Sequence, residues 1–201
     1  MNLPIEIQDQ IMLYLNYSEL EKCRPLQSEY IKRITQFDNY IDAVKAGNLE
    51  ALKWLRKKNS HYFDFRVFKI AAKSGNLEIM KYLKSENCPW NKYVFSEAAS
   101  CGNLEVLKWL KQVGCSWNAD TFEAATKFGN LDNLVWLKSV NCPWGSDTFN
   151  YAILHENLEV IVWLCEAGCP LRQHAFDIAV KVGNLEVIEY LEENWNGYNS
   201  D

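Results

Sequence analysis

The chain has 201 residues, of which 48% are hydrophobic and 23% charged, and it carries a net charge of -5 with a pI of about 5.3. This composition can form a buried core and excludes wholesale disorder. Nucleic acid is not an expected partner, because phosphate backbones are bound by clusters of Lys and Arg. No membrane partner is expected either, since no apolar run approaches the roughly 18 residues that a membrane span requires.

The N-terminus and the cysteines predict a cellular compartment. Residues 1–6 lack the basic region and apolar stretch of a secretory signal. Seven cysteines in a chain without that signal indicate free thiols in a reducing compartment. We therefore expect the protein in the cytoplasm or the nucleus.

The first 36 residues predict three short helices. Ile7, Ile11 and Leu15 recur every four positions, which places them on one helical face. The stretch 18–21 is a capping box before a second helix, and Pro25 is suited to opening a third. Three helices this short cannot fill a core of their own, so they must pack on the following segment, on a partner, or on both.

The same segment carries a short linear motif. Its residues are Leu3, Pro4, Glu6, Ile7, Ile11, Leu15, Leu20, Leu26 and Tyr30. In this order and spacing they resemble an F-box, although Leu26 and Tyr30 replace the usual Val and Trp and Pro25 is atypical. The resemblance implies docking on the Skp-family linker of a cullin–RING ubiquitin ligase. The implied contact residues are Leu3, Pro4, Ile7, Ile11, Leu15 and Leu20. The alternative is an N-terminal cap that covers the apolar flank of the next segment.

From residue 37 onward the chain repeats. A string Gly-Asn-Leu-Glu or a close variant begins at Gly47, Gly75, Gly102, Gly129, Glu156 and Gly183, at gaps of 28, 27, 27, 27 and 27 residues. An aromatic residue lies seven positions before each copy, an alanine four before, and another aromatic seven after. This period predicts an array in which each unit is stable only when stacked on its neighbours.

The fourth copy shows the helix pair that we predict for every repeat. A first helix covers residues 121–127, with Asp120 or Thr121 as its N-cap. Gly129 ends that helix in the left-handed conformation, and Asn130 caps the second helix. The apolar stripe of the second helix is formed by Leu131, Leu134, Val135 and Leu137. Neither helix reaches the roughly 12–15 residues that are marginally stable in water, so the units must stack.

Residues 95–110 read Phe-x-x-Ala-Ala-x-x-Gly-Asn-Leu-Glu-Val-Leu-Lys-Trp-Leu. This pattern resembles the ankyrin repeat, with Gly114 at the place of the glycine that follows the second helix. An ankyrin repeat has about 33 residues, and the missing residues lie between Gly114 and Asp120, where its β-hairpin stands. The resemblance implies an all-α fold, an α-solenoid of six ankyrin-like helix-turn-helix repeats with little or no hairpin, preceded by a three-helix F-box-like segment.

These resemblances divide the chain into three parts. Residues 1–36 are the F-box-like segment, and residues 196–201 are a polar tail. Between them lie six repeats at about 37–60, 61–87, 88–114, 115–141, 142–168 and 169–195.

Four cysteines follow the same period, at Cys88, Cys115, Cys142 and Cys169. A metal site, a redox site, a disulfide ladder and simple packing are the possible explanations. Equivalent atoms of stacked repeats lie about 8–10 Å apart. A disulfide needs Cα atoms within about 7 Å, and zinc needs four sulfurs at about 2.3 Å from one ion. We therefore predict that the thiols pack in the seams, and we expect no metal or other cofactor.

The residues suited to catalysis are few. None of His61, His155 and His174 lies in a metal-ligand motif such as His-Glu-x-x-His, and there is no glycine-rich phosphate loop. The carboxylates of the recurring string fall in the first turn of a helix, where they complement its dipole. We therefore expect a protein that is not an enzyme.

Residues that differ between copies are better candidates for recognition. In ankyrin repeats the end of the first helix faces the concave surface, and solenoids bind along such a surface. The predicted substrate-binding residues are Lys92, Tyr93, Ser100, Asp120, Lys127, Phe128, Asp147, Leu154, His155, His174 and Lys181. The alternative is that they are only solvated, which is hardest to accept for the apolar Phe128 and Leu154.

Together, the two resemblances imply a protein–protein interaction adaptor. The F-box would dock on the Skp-family linker while the array binds an unknown substrate protein. The alternative is a plain ankyrin scaffold whose N-terminal helices are only a cap. An F-box followed by short, tryptophan-rich ankyrin repeats is also similar to adaptor families of giant DNA viruses and some protists. That similarity implies action in an infected host cell.

Overall fold

The computed structural model describes residues 35–58 and 62–198. Within them the chain forms twelve α-helices and no β-strand, so the prediction of an all-α fold without a projecting hairpin is confirmed for this part. The helices are α1 (Tyr40–Lys45), α2 (Leu49–Lys58), α3 (Phe65–Lys73), α4 (Leu77–Ser85), α5 (Tyr93–Ala99), α6 (Leu104–Gln112), α7 (Ala119–Phe128), α8 (Leu131–Ser139), α9 (Thr148–Leu154), α10 (Leu158–Glu166), α11 (Gln173–Val182) and α12 (Leu185–Tyr198).

The described residues form two compact units, which divide between Trp90 and Asn91. In the first unit α1 packs on α3, and α2 and α4 each pack back on the helix before them. In the second unit the odd-numbered helices α5, α7, α9 and α11 pack on one another in chain order. Each even-numbered helix there packs on its own preceding partner, and α6 contacts α8 as α10 contacts α12. This is the layered arrangement of an α-solenoid.

The recurring asparagine begins the second helix of a pair. The Asn130 side-chain oxygen accepts a hydrogen bond from the backbone N–H of Asn133 at 3.0 Å, as predicted. Asn157 does the same for Val160 at 3.1 Å. An N-cap of this kind satisfies one of the backbone donors that a helix start leaves unpaired.

A residue with positive φ separates the two helices of each pair. Gly129 has φ 71°, which confirms the predicted left-handed end of α7. In the next repeat Glu156 stands at this place with φ 52°. A left-handed conformation costs a residue with a Cβ about 1–2 kcal/mol. The Glu156 carboxylate accepts a hydrogen bond from Asn184 Nδ2 at 2.8 Å, so its side chain is held in place.

The periodic cysteines form the C-terminal endings of α4, α6, α8 and α10. The backbone N–H of Cys142 donates to the Leu137 carbonyl at 2.9 Å, and Asn141 before it has φ 59°. This is a Schellman ending, in which the residue after the left-handed position also packs on the last helical turn. The same bond occurs at Cys88, Cys115 and Cys169. All four cysteine side chains are buried, so the packing prediction is confirmed.

The predicted start of α7 is wrong by two residues. The helix begins at Ala119, and Asn118 stands at the N-cap without a side-chain capping bond. Asp120 therefore lies in the first turn, where its negative charge faces the positive end of the helix dipole. Thr121 is fully buried and is not a cap either. The helix extends to Phe128 at its other end.

The predicted apolar stripe of α8 is also partly wrong. Val135 is 50% exposed, whereas Leu134 and Leu137 are fully buried as predicted. The third buried position is Asn133, which stands where the other repeats carry Ala, Ile or Val. This position of the second helix faces the core in each repeat, so the residue that stands there is buried even when it is polar.

Candidate protein-binding surface

The predicted surface residues of the second unit lie on one side of its odd-numbered helices. On α7, Asp120, Ala124 and Lys127 are spaced i, i+4 and i+7, which aligns them along one side over two turns. The buried Phe122 and Ala125 occupy the other side. We call the set of such stripes the recognition face. Its stripes are formed by Tyr93, Glu97 and Ser100; Asp120, Ala124 and Lys127; Asp147, Tyr151 and Leu154; and His174, Ile178 and Lys181, and its edges also include Lys92, Phe128 and His155.

The recognition face has the size of a site for a protein segment. Packed helices lie about 8–10 Å apart, so the four helices span about 25–30 Å. Two helical turns give a width of about 10 Å. One helix of a partner, or one extended chain, matches these dimensions.

The middle row of the recognition face was missed by sequence reasoning. Glu97, Ala124, Tyr151 and Ile178 are half-buried and lie between the two predicted rows. The sequence carries the signal for this row, because residues at positions i, i+4 and i+7 of a helix lie on the same side.

One edge of the face, at the helix N-termini, is acidic in its centre. Asp120 accepts a hydrogen bond from Asn118 Nδ2 at 2.9 Å. Asp147 accepts one from Asn150 Nδ2 at 2.7 Å, so both carboxylates are oriented. Tyr93 is 49% exposed, and the Lys92 ammonium lies 5.2 Å from its ring centroid. His174, at the far end of this edge, is exposed.

The opposite edge, at the helix C-termini, is basic and apolar. Lys127, His155 and Lys181 are exposed there. Phe128 and Leu154 are 58% and 53% exposed, although each is a large apolar side chain. The equivalent places in the other repeats hold Lys, Ser, Ala, Cys, His or Val. The sixth predicted residue of this edge, Ser100, is half-buried, and its hydroxyl donates to the Glu97 carbonyl at 2.7 Å.

The centre of the recognition face rests on a rigid base. The Phe122 ring on the buried side of α7 lies 4.4 Å from the Trp144 centroid. It also stacks on Trp163 at 6.4 Å with an interplanar angle of 12°. Aromatic contacts of this kind fix neighbouring helices relative to one another. The α7 helix is thus held in place before any partner binds.

The buried thiols have the properties of packing groups. Burial raises the pKa of Cys88, Cys142 and Cys169 to about 12. Since the thiolate is the nucleophile and the metal ligand, these side chains remain unreactive near neutral pH. No group of three or more His, Cys, Asp or Glu residues within 35–58 and 62–198 is arranged to hold a metal ion.

The predicted Skp-binding residues lie outside the described residues. These are Leu3, Pro4, Ile7, Ile11, Leu15 and Leu20. Their assignment therefore stays a prediction from the sequence.

Comparison with known proteins supports the repeat assignment. Residues 40–121 match the family model for ankyrin repeats, in three copies. A search of the curated proteins found no match to this chain. Ankyrin repeats form scaffolds for protein–protein interaction, and residues 40–121 extend from α1 to the first turn of α7. No helix in the described part of the chain has the length and apolar character needed to span a membrane.

Proposed function

We propose that this chain is a non-enzymatic adaptor that binds a substrate protein along the recognition face and docks on a Skp-family linker through residues 3–34. The observation that carries the first half is the exposure of Phe128 and Leu154 on two adjacent helices. Large apolar side chains grouped on a surface favour association with another protein.

The recurring architecture strengthens this interpretation. Residues that recur between copies are used in the repeat itself: alanines in the helix contacts, asparagines as N-caps and cysteines in the helix endings. The recognition face consists of the positions that the repeat leaves free to vary. Solenoids bind partners through extended surfaces of this kind, and the exposed Phe128 and Leu154 lie on its two central helices, α7 and α9.

The second half of the proposal is supported by the N-terminal motif. Leu3, Pro4, Glu6 and Ile7 match the beginning of an F-box, and the apolar residues that follow keep its spacing. Docking would use an apolar helical face in a groove of the linker. In this arrangement the array presents its bound protein for ubiquitin transfer and performs no chemistry itself.

A pull-down with a purified Skp-family protein tests the N-terminal half. The intact chain is expected to bind, and a variant with Leu3→Ala, Pro4→Ala and Ile7→Ala is expected to lose binding while its helical circular dichroism and unfolding midpoint stay unchanged. A folded intact chain that does not bind contradicts the adaptor role. Unfolding of the triple variant supports the plain scaffold, in which these helices only cover the first repeat.

A co-purification experiment tests the array half independently. The bait is the intact chain, and the matched variant carries Phe128→Ser and Leu154→Lys. Ser and Lys are the residues that other repeats hold at these two places, at Ser74 and Lys181, so the fold is expected to tolerate them. A partner retained equally by both baits rules out the recognition face as the binding site.

A further inference from the structure

We infer that the C-terminal flank of the sixth repeat binds a basic, amphipathic helix of a partner protein. This flank is the side of α11 and α12 that, in the earlier repeats, faces the repeat that follows. Its residues are Phe176, Asp177 and Val180 on α11 and Leu185, Ile188 and Glu192 on α12. The flank is separate from the recognition face, so the inference goes beyond the proposed function.

Contacts of the fourth repeat show which side of a repeat faces the next one. The Phe122 ring centroid lies 4.4 Å from that of Trp144, and the Glu123 carboxylate accepts a hydrogen bond from the backbone N–H of Asp147 at 3.0 Å. The Lys138 ammonium lies 4.3 Å from the Trp144 ring centroid. Trp144 and Asp147 belong to the fifth repeat. The equivalent places in the sixth repeat hold Phe176, Asp177 and Glu192. These three residues therefore lie on its C-terminal flank.

The apolar side chains of the flank are uncovered. Val180 is 54% exposed, whereas Ile153, at the same place in the fifth repeat, is 1% exposed. Ile188 is half-buried, whereas the equivalent Ile161 is fully buried. Leu185 is 71% exposed and lies one turn from Ile188 on the same side of α12.

A helix is the element that fits over such a surface. In the fifth repeat the equivalent surface belongs to α9, and α11 packs on α9. Covering the flank with another helix removes apolar surface from water, which favours association. The occupant therefore needs an apolar stripe at helical spacing, as amphipathic helices have.

The charge of the flank favours a basic occupant. The two helices α11 and α12 together carry five carboxylates and one lysine, Lys181, which lies on the recognition face. Asp177 and Glu192 are exposed. Asp177 accepts a hydrogen bond from the uncharged amide of Gln173 at 3.4 Å, so its negative charge is not neutralised by that contact. Glu192 stands where three earlier repeats carry Lys84, Lys111 and Lys138. Lys or Arg side chains beside the apolar stripe of a partner helix complement these carboxylates.

A second copy of this chain fits the flank less well. In a two-fold symmetric pair the same surface patch of each copy meets the other. This arrangement brings the carboxylates of Asp177 and Glu192 close to those of the other copy, and like charges oppose association. The net charge of -5 on each chain adds to the repulsion. The occupant is therefore expected to be a different, basic protein.

The experiment uses the full chain and two fluorescein-labelled peptides of about 18 residues, long enough to form helix in water. Both peptides carry leucines at positions i, i+3, i+4 and i+7. Lysines border this stripe in one peptide, and glutamates replace them in the other. Circular dichroism establishes that the two peptides are equally helical. In fluorescence anisotropy the lysine peptide is expected to bind about tenfold more tightly, and physiological salt is expected to weaken it.

Variants of the flank separate charge from apolar contact. Asp177→Lys with Glu192→Lys introduces residues that other repeats hold at these places, at Lys69 and Lys138. This variant is expected to reverse the preference, so that the glutamate peptide binds more tightly. Val180→Asn is expected to weaken the lysine peptide several-fold. The matched control is Val135→Asn, because Val135 on α8 is 50% exposed, and it is expected to change neither peptide. The urea midpoint of each variant establishes that it is folded.

The binding site and the proposed function are tested separately. Phe128→Ser with Leu154→Lys is expected to leave binding of the lysine peptide unchanged. If that variant weakens it, the peptide binds the recognition face, and the inference is wrong while the proposed function stands. The Skp pull-down and the co-purification experiment decide the proposed function without reference to these peptides.

Other results also contradict the inference. Equal binding of both peptides, or binding of neither, shows that the flank does not select a basic helix. Sedimentation of the chain alone is expected to show a monomer. A dimer that Val180→Asn dissociates shows instead that the occupant of the flank is a second copy.

Discussion

The Trp144 ring lies between Phe122 and Lys138, with its centroid 4.4 Å from the Phe122 ring centroid and 4.3 Å from the Lys138 ammonium. An aromatic ring thus joins the first helix of one repeat to the end of its second helix. The same triplet occurs as Phe68, Trp90 and Lys84, and as Phe95, Trp117 and Lys111. In the following seam Leu171 replaces the Trp and Cys165 replaces the Lys. The ring and the cation change together because the cation is attracted by the face of the ring.

This triplet predicts an energetic coupling. Trp144 is half-buried, so Trp144→Ala is expected to reduce the free energy of unfolding by less than the roughly 3–5 kcal/mol that loss of a fully buried aromatic costs. Lys138→Ala is expected to cost about 0.5–1 kcal/mol. In a protein that already carries Trp144→Ala, Lys138→Ala is expected to cause no further loss of stability, because the ring that attracts the ammonium is absent. Urea unfolding of the four proteins measures the coupling.

The exposed Lys127 provides the control for this double-mutant comparison of Trp144 and Lys138. Lys127→Ala should cost little on its own and should add to Trp144→Ala without coupling. If the Lys138 and Trp144 effects are also additive, the contact between ring and ammonium contributes nothing to stability.

A buried amide predicts a stabilising substitution. Asn133 is fully buried, and neither its Oδ1 nor its Nδ2 has a hydrogen-bond partner within the described residues. An unsatisfied buried polar group costs about 1–3 kcal/mol. Asn133→Val is therefore expected to raise the free energy of unfolding by about 1–3 kcal/mol in urea titrations.

The reverse change supplies the matched control. Val106 stands at the equivalent place in the third repeat and is fully buried. Val106→Asn should destabilise the protein. If Asn133→Val also destabilises it, the amide contributes to the native structure in a way that its burial does not account for.

The left-handed Glu156 predicts a second stabilising change. Glu156→Gly removes the steric cost of a Cβ at φ 52° and should gain about 1 kcal/mol, reduced by the greater entropy of glycine in the unfolded chain. The measurement is the shift of the thermal unfolding midpoint. Gly129→Ala is the opposite case, because its Cβ would meet Asn157 Nδ2, and it should lower the midpoint. Stabilisation by both changes would contradict the steric explanation.

The periodic thiols predict a pH dependence. Burial raises the pKa of Cys142 to about 12 from a usual value of 9.0. The unfolded chain therefore loses its thiol protons at a lower pH than the folded one. The stability associated with these protons is fully present below about pH 9 and is lost as the pH rises toward 12. Burial also raises the pKa of Tyr82 to about 12, so deprotonation of Tyr82 contributes to the same loss of stability at high pH.

Two measurements check the behaviour of the thiols. Urea midpoints should fall with pH above about 9, and Cys142→Ala should make the fall less steep. At neutral pH, iodoacetamide should alkylate Cys88 and Cys142 much more slowly in the folded protein than in urea. Equal rates in the two states would show that the thiols are accessible.

Local patterns predicted a substantial part of this structure. Gly129 and Asn130 were assigned correctly, because the end of one helix and the cap of the next depend on backbone conformation within a few residues. The spacing of the four periodic cysteines alone predicts that they pack in the seams between repeats. The stripe of α8 was partly wrong, because Asn133 is buried by the position it occupies in the repeat rather than by its own polarity.

The sequence by itself determined the period, the helix pairs and the residues that vary between copies, because each follows from local rules repeated every 27 residues. Only the tertiary structure decided which varying residues share a surface. The packing of α5, α7, α9 and α11 aligned separate stripes into one face, in which residues of adjacent helices became neighbours. Such neighbours come from different repeats, and their proximity depends on how the helices stack, which no local pattern encodes.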